Sequence, residues 1–189
     1  DKIHISTDST KIKNIVEKKG IKIDFMRPKK LSRDLTPLID VFQYVIDEYS
    51  RKGFNYDEVW SLMPCSPLID DKDLKKIASF YDKQSLKKPL LSISRYKAPI
   101  QWAYKIEKKN KIKPINIKLH KLRSQDLPPR YFDAGQFVIF PVKFMNSESF
   151  SKRINSFLGY ILPPEKAIDI DLQEDWKLAE ITYRGLDKN

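Results

Sequence analysis

DKIHISTDSTKIKNIVEKKGIKIDF (1–25) is the stretch that sets the fold class. Ile3 and Ile5 alternate with Lys2 and His4, the period of a half-buried strand, so Asp1 to Ser6 is predicted as a strand. Ser6-Thr7-Asp8-Ser9 can start a helix, and Ile12, Ile15 and Val16 form that helix's apolar stripe. Gly20 closes it and IKIDF is a second short strand. Strand, helix and strand at this spacing predict one parallel βαβ unit.

The alternation continues toward the C-terminus. Thr36-Pro37 serve as cap and first helical residue, and Leu38, Val41, Phe42, Val45, Ile46 and Tyr49 give an unbroken apolar face that Gly53 stops. Val59 to Met63 reads as a buried strand, Asp70 to Tyr81 as a helix with Leu74, Ile77 and Ala78 inward, and Leu90 to Ser94 as a further strand. WAYKIE and KIKPINIK flank Lys108 to Asn110 as a hairpin, with Pro114 marking an edge position. QFVIF (136–140) is a buried strand, Ser147 to Phe157 is polar and helical at its start, and LGYIL (158–162) is a strand. Asp169-Ile170-Asp171 ends a short extended run, and Leu172 to Arg184 is the last helix, with Trp176, Ala179 and Tyr183 on one face. The pattern predicts a single α/β domain over residues 1–189: an open, mostly parallel sheet with a β-hairpin insertion.

Composition narrows the function classes. The 189 residues are 41% hydrophobic and 12% aromatic, a globular make-up, and no run approaches a membrane span or a secretory signal. The single cysteine, Cys65, has no internal disulfide partner, which fits a reducing cytoplasm. The net charge of +11 comes from lysines spread along the whole chain, the signature of solvated helix faces and turns. No nucleic-acid motif is present, and aromatics are not interleaved with the basic clusters as stacking platforms would be.

RSQDLPPRYFDAGQF (123–137) carries the most chemistry. Arg123, Gln125, Asp126, Arg130 and Asp133 supply donors and acceptors, Pro128-Pro129 stiffens the loop, and Gly135 permits close backbone approach. A polar loop fixed against a rigid strand is a common way to build a site for a small polar molecule. This stretch resembles the segment with which acylneuraminate cytidylyltransferases hold a nine-carbon acidic sugar, and D-A-G-Q resembles the pseudaminic acid subgroup in particular. Pro99-Ile100-Gln101 is a second, weaker match to that subgroup. The resemblance covers nearly the whole chain in order. It implies a Rossmann-like nucleotidyltransferase sheet and CMP transfer from CTP to the anomeric hydroxyl, releasing pyrophosphate. Legionaminate or sialate activation, a non-catalytic fragment, and a basic nucleic-acid-binding module are the alternatives.

The resemblance also implies roles. STDS (6–9) matches the family's S-T-D segment, although a plain helix cap is the fuller account of Asp8. Arg27-Pro28, with Ser32, Asp34 and Thr36, matches the R-P and acid-threonine segment, which places Arg27, Ser32 and Thr36 at CTP; a guanidinium can give forked hydrogen bonds to a pyrimidine or ribose oxygen. MPCSPL (63–68) stands where sialate members have Gln-Pro-Thr-Ser-Pro-Leu, so Met63 and Cys65 depart from them. Arg123, Gln125, Tyr131, Asp133 and Gln136 fall at the sugar, with Asp133 where sialate enzymes have asparagine. Asp169 and Asp171 match the closing D-x-D. Two apart on an extended chain, both can face one Mg²⁺, and Asp171 can cap the last helix as well. Similar enzymes are homodimers through the hairpin region, here 99–118. The family opens with a strand and a Gly-rich basic loop that nothing here matches. The expectation is therefore a chain truncated by one βα unit of about thirty residues, inactive by itself, with a gap in the sheet between Lys2–Ser6 and Val59–Met63.

Overall fold

The computed structural model describes residues 2–85, 88–145 and 156–186. Most of the expectation for 147–157 lies outside them. Two compact units are present: residues 1–59 with 141–150, and residues 60–140 with 151–189.

In the first unit α1 (Thr10–Lys18) starts on Ser9, whose hydroxyl accepts from the Ile12 N–H at 3.4 Å. α2 (Leu38–Arg51) follows Pro37 and carries Asp40 in its first turn, with Val41 and Tyr49 buried. Gly53, at φ +84°, follows it in a conformation that favours glycine. The two segments expected as strands around α1, 2–6 and 21–25, carry no ladder. Their side chains hold them instead. Lys2 pairs with Asp24 at 2.7 Å, the His4 ring stacks on Phe25 at 4.4 Å, and the Tyr49 hydroxyl donates to Asp24 at 3.0 Å. Burial, then the Asp24 carboxylate, pushes the Tyr49 phenol well above its usual range. With no ladder beneath it, α1 buries nothing, and Ile12 and Ile15 of its expected stripe stay open to solvent.

β1 (Glu58–Leu62) leads to α3 (Asp71–Asp82), which has a complete capping box: the Asp73 N–H donates to the Asp70 carboxylate at 2.8 Å, and the Asp70 N–H to that of Asp73 at 3.1 Å. Then come β2 (Leu90–Arg95), β3 (Tyr104–Ile106), β4 (Ile112–Pro114), α4 (Ile117–His120), β5 (Tyr131–Pro141), α5 (Val142–Met145), β6 (Leu158–Ile161) and α6 (Gln173–Leu186). β3 and β4 form the expected hairpin, and Pro114 sits at its edge opposite Tyr104. Its turn places Lys109 and Asn110 at φ 59° and 58°.

The main sheet has the order β1-β5-β2-β6. β2 runs parallel to β6 and antiparallel to β5. The Met63 N–H meets the Gln136 carbonyl and the Val142 N–H meets the Asp57 carbonyl, so numbers rise on β1 as they fall on β5. Three of the four strands therefore share one direction, and β5 is the reversed one. β1 lies at an end of the sheet, and the burial expected of it does not hold: Trp60 is 37% and Leu62 48% exposed. The core is Ile77, Tyr81, Leu90, Ala134, Phe137, Ile139 and Leu162.

α6 is rotated from its expected face. Ala179 is buried, whereas Trp176 and Tyr183 are 58% and 52% exposed. At about 100° per residue they sit roughly 80° round the helix from the line through Asp175, Ala179 and Thr182. Asp175 fixes that rotation, because its carboxylate accepts from the N–H groups of Asp171 (3.2 Å) and Leu172 (2.8 Å) at the helix start.

Between β2 and β5 the register slips. Leu91 faces Val138 and Ile93 faces Asp133, so Ser92 alone stands opposite residues 134–137. Its fully buried hydroxyl accepts from the N–H groups of both Gln136 and Phe137, at 3.1 Å each. Ser92→Ala would leave both without that acceptor in the core and should lower stability by about 2 kcal/mol. Urea unfolding checks this, and an unchanged midpoint would show that the bulge does not depend on the hydroxyl.

Candidate active site

β1, β2 and β6 point their carboxyl ends to one edge of the sheet, where a sheet of this kind binds ligands, and β5 begins there. The turn after β1 packs on the bulge: the Met63 N–H (3.0 Å) and the Ser66 hydroxyl (2.9 Å) both donate to the Gln136 carbonyl. Gln136, expected at the sugar, is fully buried. Its side-chain amide donates to the Ala134 carbonyl at 2.7 Å and the Ile168 carbonyl at 3.1 Å, so it anchors from beneath the segment that carries Asp169.

Asp169 sits directly over Gly135. Gly135 has φ +65°, and a Cβ built on it would meet the Asp169 Cγ at 2.7 Å with Oδ2 closer still. Its N–H donates to the Asp133 carboxylate at 3.0 Å, a turn that brings Asp133 beside it. The Cys65 thiol donates to Asp169 Oδ1 at 3.2 Å. Burial, and then this carboxylate, raises the thiol's pKa, so Cys65 stays protonated and keeps donating. Asp171 is exposed; Asp175 caps the helix start, and the Asp171 carboxylate has no partner among the described residues. Also among the described residues, no group of three or more His, Cys, Asp or Glu is placed to hold a metal.

A clamp steadies the chain that leads to Asp169. Lys166 reaches Asp70 at 3.0 Å and makes a short contact with Asp73, at the N-terminus of α3. Burial works against its charge, but the two carboxylates outweigh burial and raise its pKa. The Asp73 N–H, then Lys166, hold Asp70 at about 2.

The other expected sugar residues lie before and at the start of β5. Arg123 is engaged by Asp126 in a forked pair, at 2.8 and 3.1 Å. Gln125 lines a depression beside Arg130 and the end of β2. Tyr131 faces Arg95 across the ladder and is 41% exposed, and Asp133 faces Ile93. In the first unit Arg27 gathers Ser32 (Nε to Oγ, 3.2 Å) and Asp8 (3.8 Å), and its N–H meets the Thr7 carbonyl at 2.8 Å. Asp8 therefore partners Arg27, and the helix cap is Ser9. Thr36 is half-buried, with its N–H on the Arg33 carbonyl and no hydrogen bond to Arg27 or Ser32 among the described residues. Sequence reasoning missed Ser92, Cys65 and Lys166 as site-building residues; a glycine after Asp-Ala was the one local signal for the seat under Asp169.

Two outcomes follow from this geometry. Gly135→Ala would drive a methyl into the Asp169 carboxylate at a φ that disfavours alanine, and should cut turnover by at least about tenfold. Wild-type turnover in that variant would mean that the Asp169 position is unimportant. Asp70 contributes its stability in full above its ordinary 3.8 and loses it as pH falls through about 2. The wild-type advantage over Asp70→Asn in urea midpoint should therefore shrink between pH 4 and pH 2, and a constant difference would exclude the clamp.

No family model matches the chain. Pseudaminic acid cytidylyltransferase from Campylobacter jejuni subsp. jejuni serotype O:2 is 33% identical over 186 residues, covering 97% of this chain and 78% of that protein. CMP-N,N'-diacetyllegionaminic acid synthase from Legionella pneumophila is 20% identical over 95% of this chain and 77% of that protein. Among solved structures, CMP:2-keto-3-deoxy-manno-octonic acid synthetase complexed with CTP shares the fold, with a TM-score of 0.63 at 12% identity over 100% of this chain and 82% of that one. One-third identity over nearly the whole length settles the family: the chain belongs to the pseudaminic acid branch of the acylneuraminate cytidylyltransferases.

Proposed function

We propose that this protein transfers CMP from CTP to the anomeric hydroxyl of pseudaminic acid, releasing pyrophosphate. The observation that carries the reading is the 33% identity, over 97% of the chain, to a protein named for that activity. Relatives named for legionaminate or sialate substrates match at 20 to 24% and make those sugars the second choice. The acid at Asp133, where sialate enzymes resemble one another in having asparagine, supports the same order. No helix of the described residues is long and apolar enough to cross a membrane. The place of action is the cytoplasm, in keeping with the lone thiol of Cys65.

Asp169 and Asp171 are the candidates to hold Mg²⁺. Two exposed carboxylates, two residues apart, suit an ion that takes one or two carboxylates and completes its shell with phosphate oxygens and water. Bound there, the ion would neutralise charge on the phosphates. Gly135, Cys65 and Gln136 keep the Asp169 carboxylate in one position, which spares reorganisation during reaction. Arg27 and Ser32 are assigned to the cytidine end of CTP. Arg123, Gln125, Tyr131 and Asp133 are assigned to the sugar, with Arg123 exchanging Asp126 for the ligand. The exposed Ile106, Ile112 and Ile115 of the hairpin support a homodimer through residues 99–118.

Pyrophosphate release with CTP and Mg²⁺ tests the reading, in a chain extended by the Gly-rich βα unit with which the family opens. Pseudaminic acid should exceed legionaminic and N-acetylneuraminic acids in kcat/KM by at least about tenfold, and Asp169→Asn should lower turnover by a similar factor. No CMP-sugar with any of the three would refute the function. Unchanged turnover in Asp169→Asn would remove that carboxylate from the mechanism.

A further inference from the structure

The connection from β6 to α6 carries Asp169, and residues 162–172 form no ladder. The sheet fixes only its first residue: the Leu162 N–H donates to the Ile93 carbonyl at 2.8 Å, and the Ser94 hydroxyl donates to the Leu162 carbonyl at 3.1 Å. Further on, side chains do the holding. The Lys166 ammonium goes to Asp70 and Asp73, the Ile168 carbonyl accepts from Gln136, and the Asp169 carboxylate accepts from Cys65.

Lys166 differs from the others in its anchor. Both its partners stand at the N-terminus of α3, whose Ile77 and Tyr81 are fully buried in the core. The helix orients both carboxylates. Asp70 accepts the Asp73 N–H on Oδ1 and leaves Oδ2 for Lys166, while Asp73 Oδ2 takes both the Asp70 N–H and the lysine. The Lys166 and Asp73 side chains are only 15% and 13% exposed. Measured against an apolar pair of the same size, an ion pair this enclosed gains little net stability; what it supplies is a fixed geometry. Cys65 lies five residues before Asp70, and Asp169 three after Lys166. The same two segments are thus tied twice, and the ionic tie sets the reach of the thiol–carboxylate one.

We propose that Lys166 is a positioning residue for the reaction: its bonds to Asp70 and Asp73 hold Asp169 over Gly135 and against Cys65, where that carboxylate receives the divalent cation. The proposal rests on the cytidylyltransferase reading and adds to it a residue that acts through Asp169. Without the ammonium, the Gln136 amide and the weak thiol donor of Cys65 hold the stretch alone, and the Asp169 carboxylate leaves its seat for part of the time.

Cys65 is the chain's one thiol, so its rate of reaction with a chromogenic aromatic disulfide reports whether Asp169 is in place, with no substrate or metal present. Rates are compared at one pH, below the melting transition of each variant. Asp169→Ala removes the carboxylate that opposes the thiolate and should speed the reaction at least about fivefold. Lys166→Met keeps the length of the stem, removes the charge, and should speed it at least about threefold. In the chain extended by the family's opening unit, Lys166→Met should lower kcat at least about tenfold while the KM values for CTP and the sugar stay within about twofold. A wild-type thiol rate or a wild-type kcat in Lys166→Met would overturn the proposal. Should that variant melt early, Asp73→Asn/Lys166→Met takes its place, because the amide can keep the helix cap and no lone charge is left buried; the same outcomes overturn the proposal. A wild-type thiol rate in Asp169→Ala overturns it as well, since no contact would then exist for Lys166 to hold. The parent reading fails separately, when the extended wild-type protein makes no CMP-sugar while the thiol rates respond as expected.

Discussion

One hydroxyl holds the bulge from which the candidate site is built. Ser92 accepts two consecutive N–H groups from β5, and that pair of bonds lets four residues of one strand stand opposite a single residue of the other. In a regular ladder those N–H groups would find strand carbonyls, and residues 134–137 would lie flat. The bulge instead turns Gly135 to positive φ under Asp169, aims the Gln136 carbonyl at Met63 and Ser66, and sends the Gln136 amide to Ile168. Three loops, from β1, β5 and β6, are thus referred to one local distortion. Bulges recur next to active sites for this reason: they re-aim groups without sacrificing the strand that carries them.

Much of the second unit was legible because its signals are local. The Asp70/Asp73 capping box and the apolar spacing of Leu74 and Ile77 lie within one or two helical turns, and α3 appears within a residue of its expected bounds. The hairpin was legible from its lysine-rich turn and Pro114. Alternation at 2–6 and 21–25 misled, because a period of two reports a strand's side chains and not whether its backbone has a partner; here His4, Phe25 and Tyr49 hold the segments through their side chains. α6 misled for another reason. Its two largest aromatics suggested the inward face, but the capping carboxylate of Asp175 chose the rotation and left a small residue, Ala179, inside.

The site shows the same division. Gly135 and the D-x-D spacing can be read along the chain. The thiol beside Asp169, the serine beneath the bulge and the lysine clamped to α3 have partners 104, 44 and 96 residues away, and no local pattern announces such pairs. The charge also resolves once positions are known. A net +11 gives no direction by itself, yet the clamp lysine is spoken for while Arg95, Lys97 and Arg130 have no ion pair among the described residues and stand round one depression.

The long reach of those contacts bears on when the site comes into being. A chain emerging from the ribosome makes Cys65 and Asp70 early and Lys166 and Asp169 last, so the carboxylate's seat stands ready before its occupant exists. Closing loops of that length is the slow, entropically costly part of folding, and the strand and helix around the seat can form first. The order of synthesis therefore makes the segment that carries Lys166 and Asp169 the last component of the candidate site to arrive.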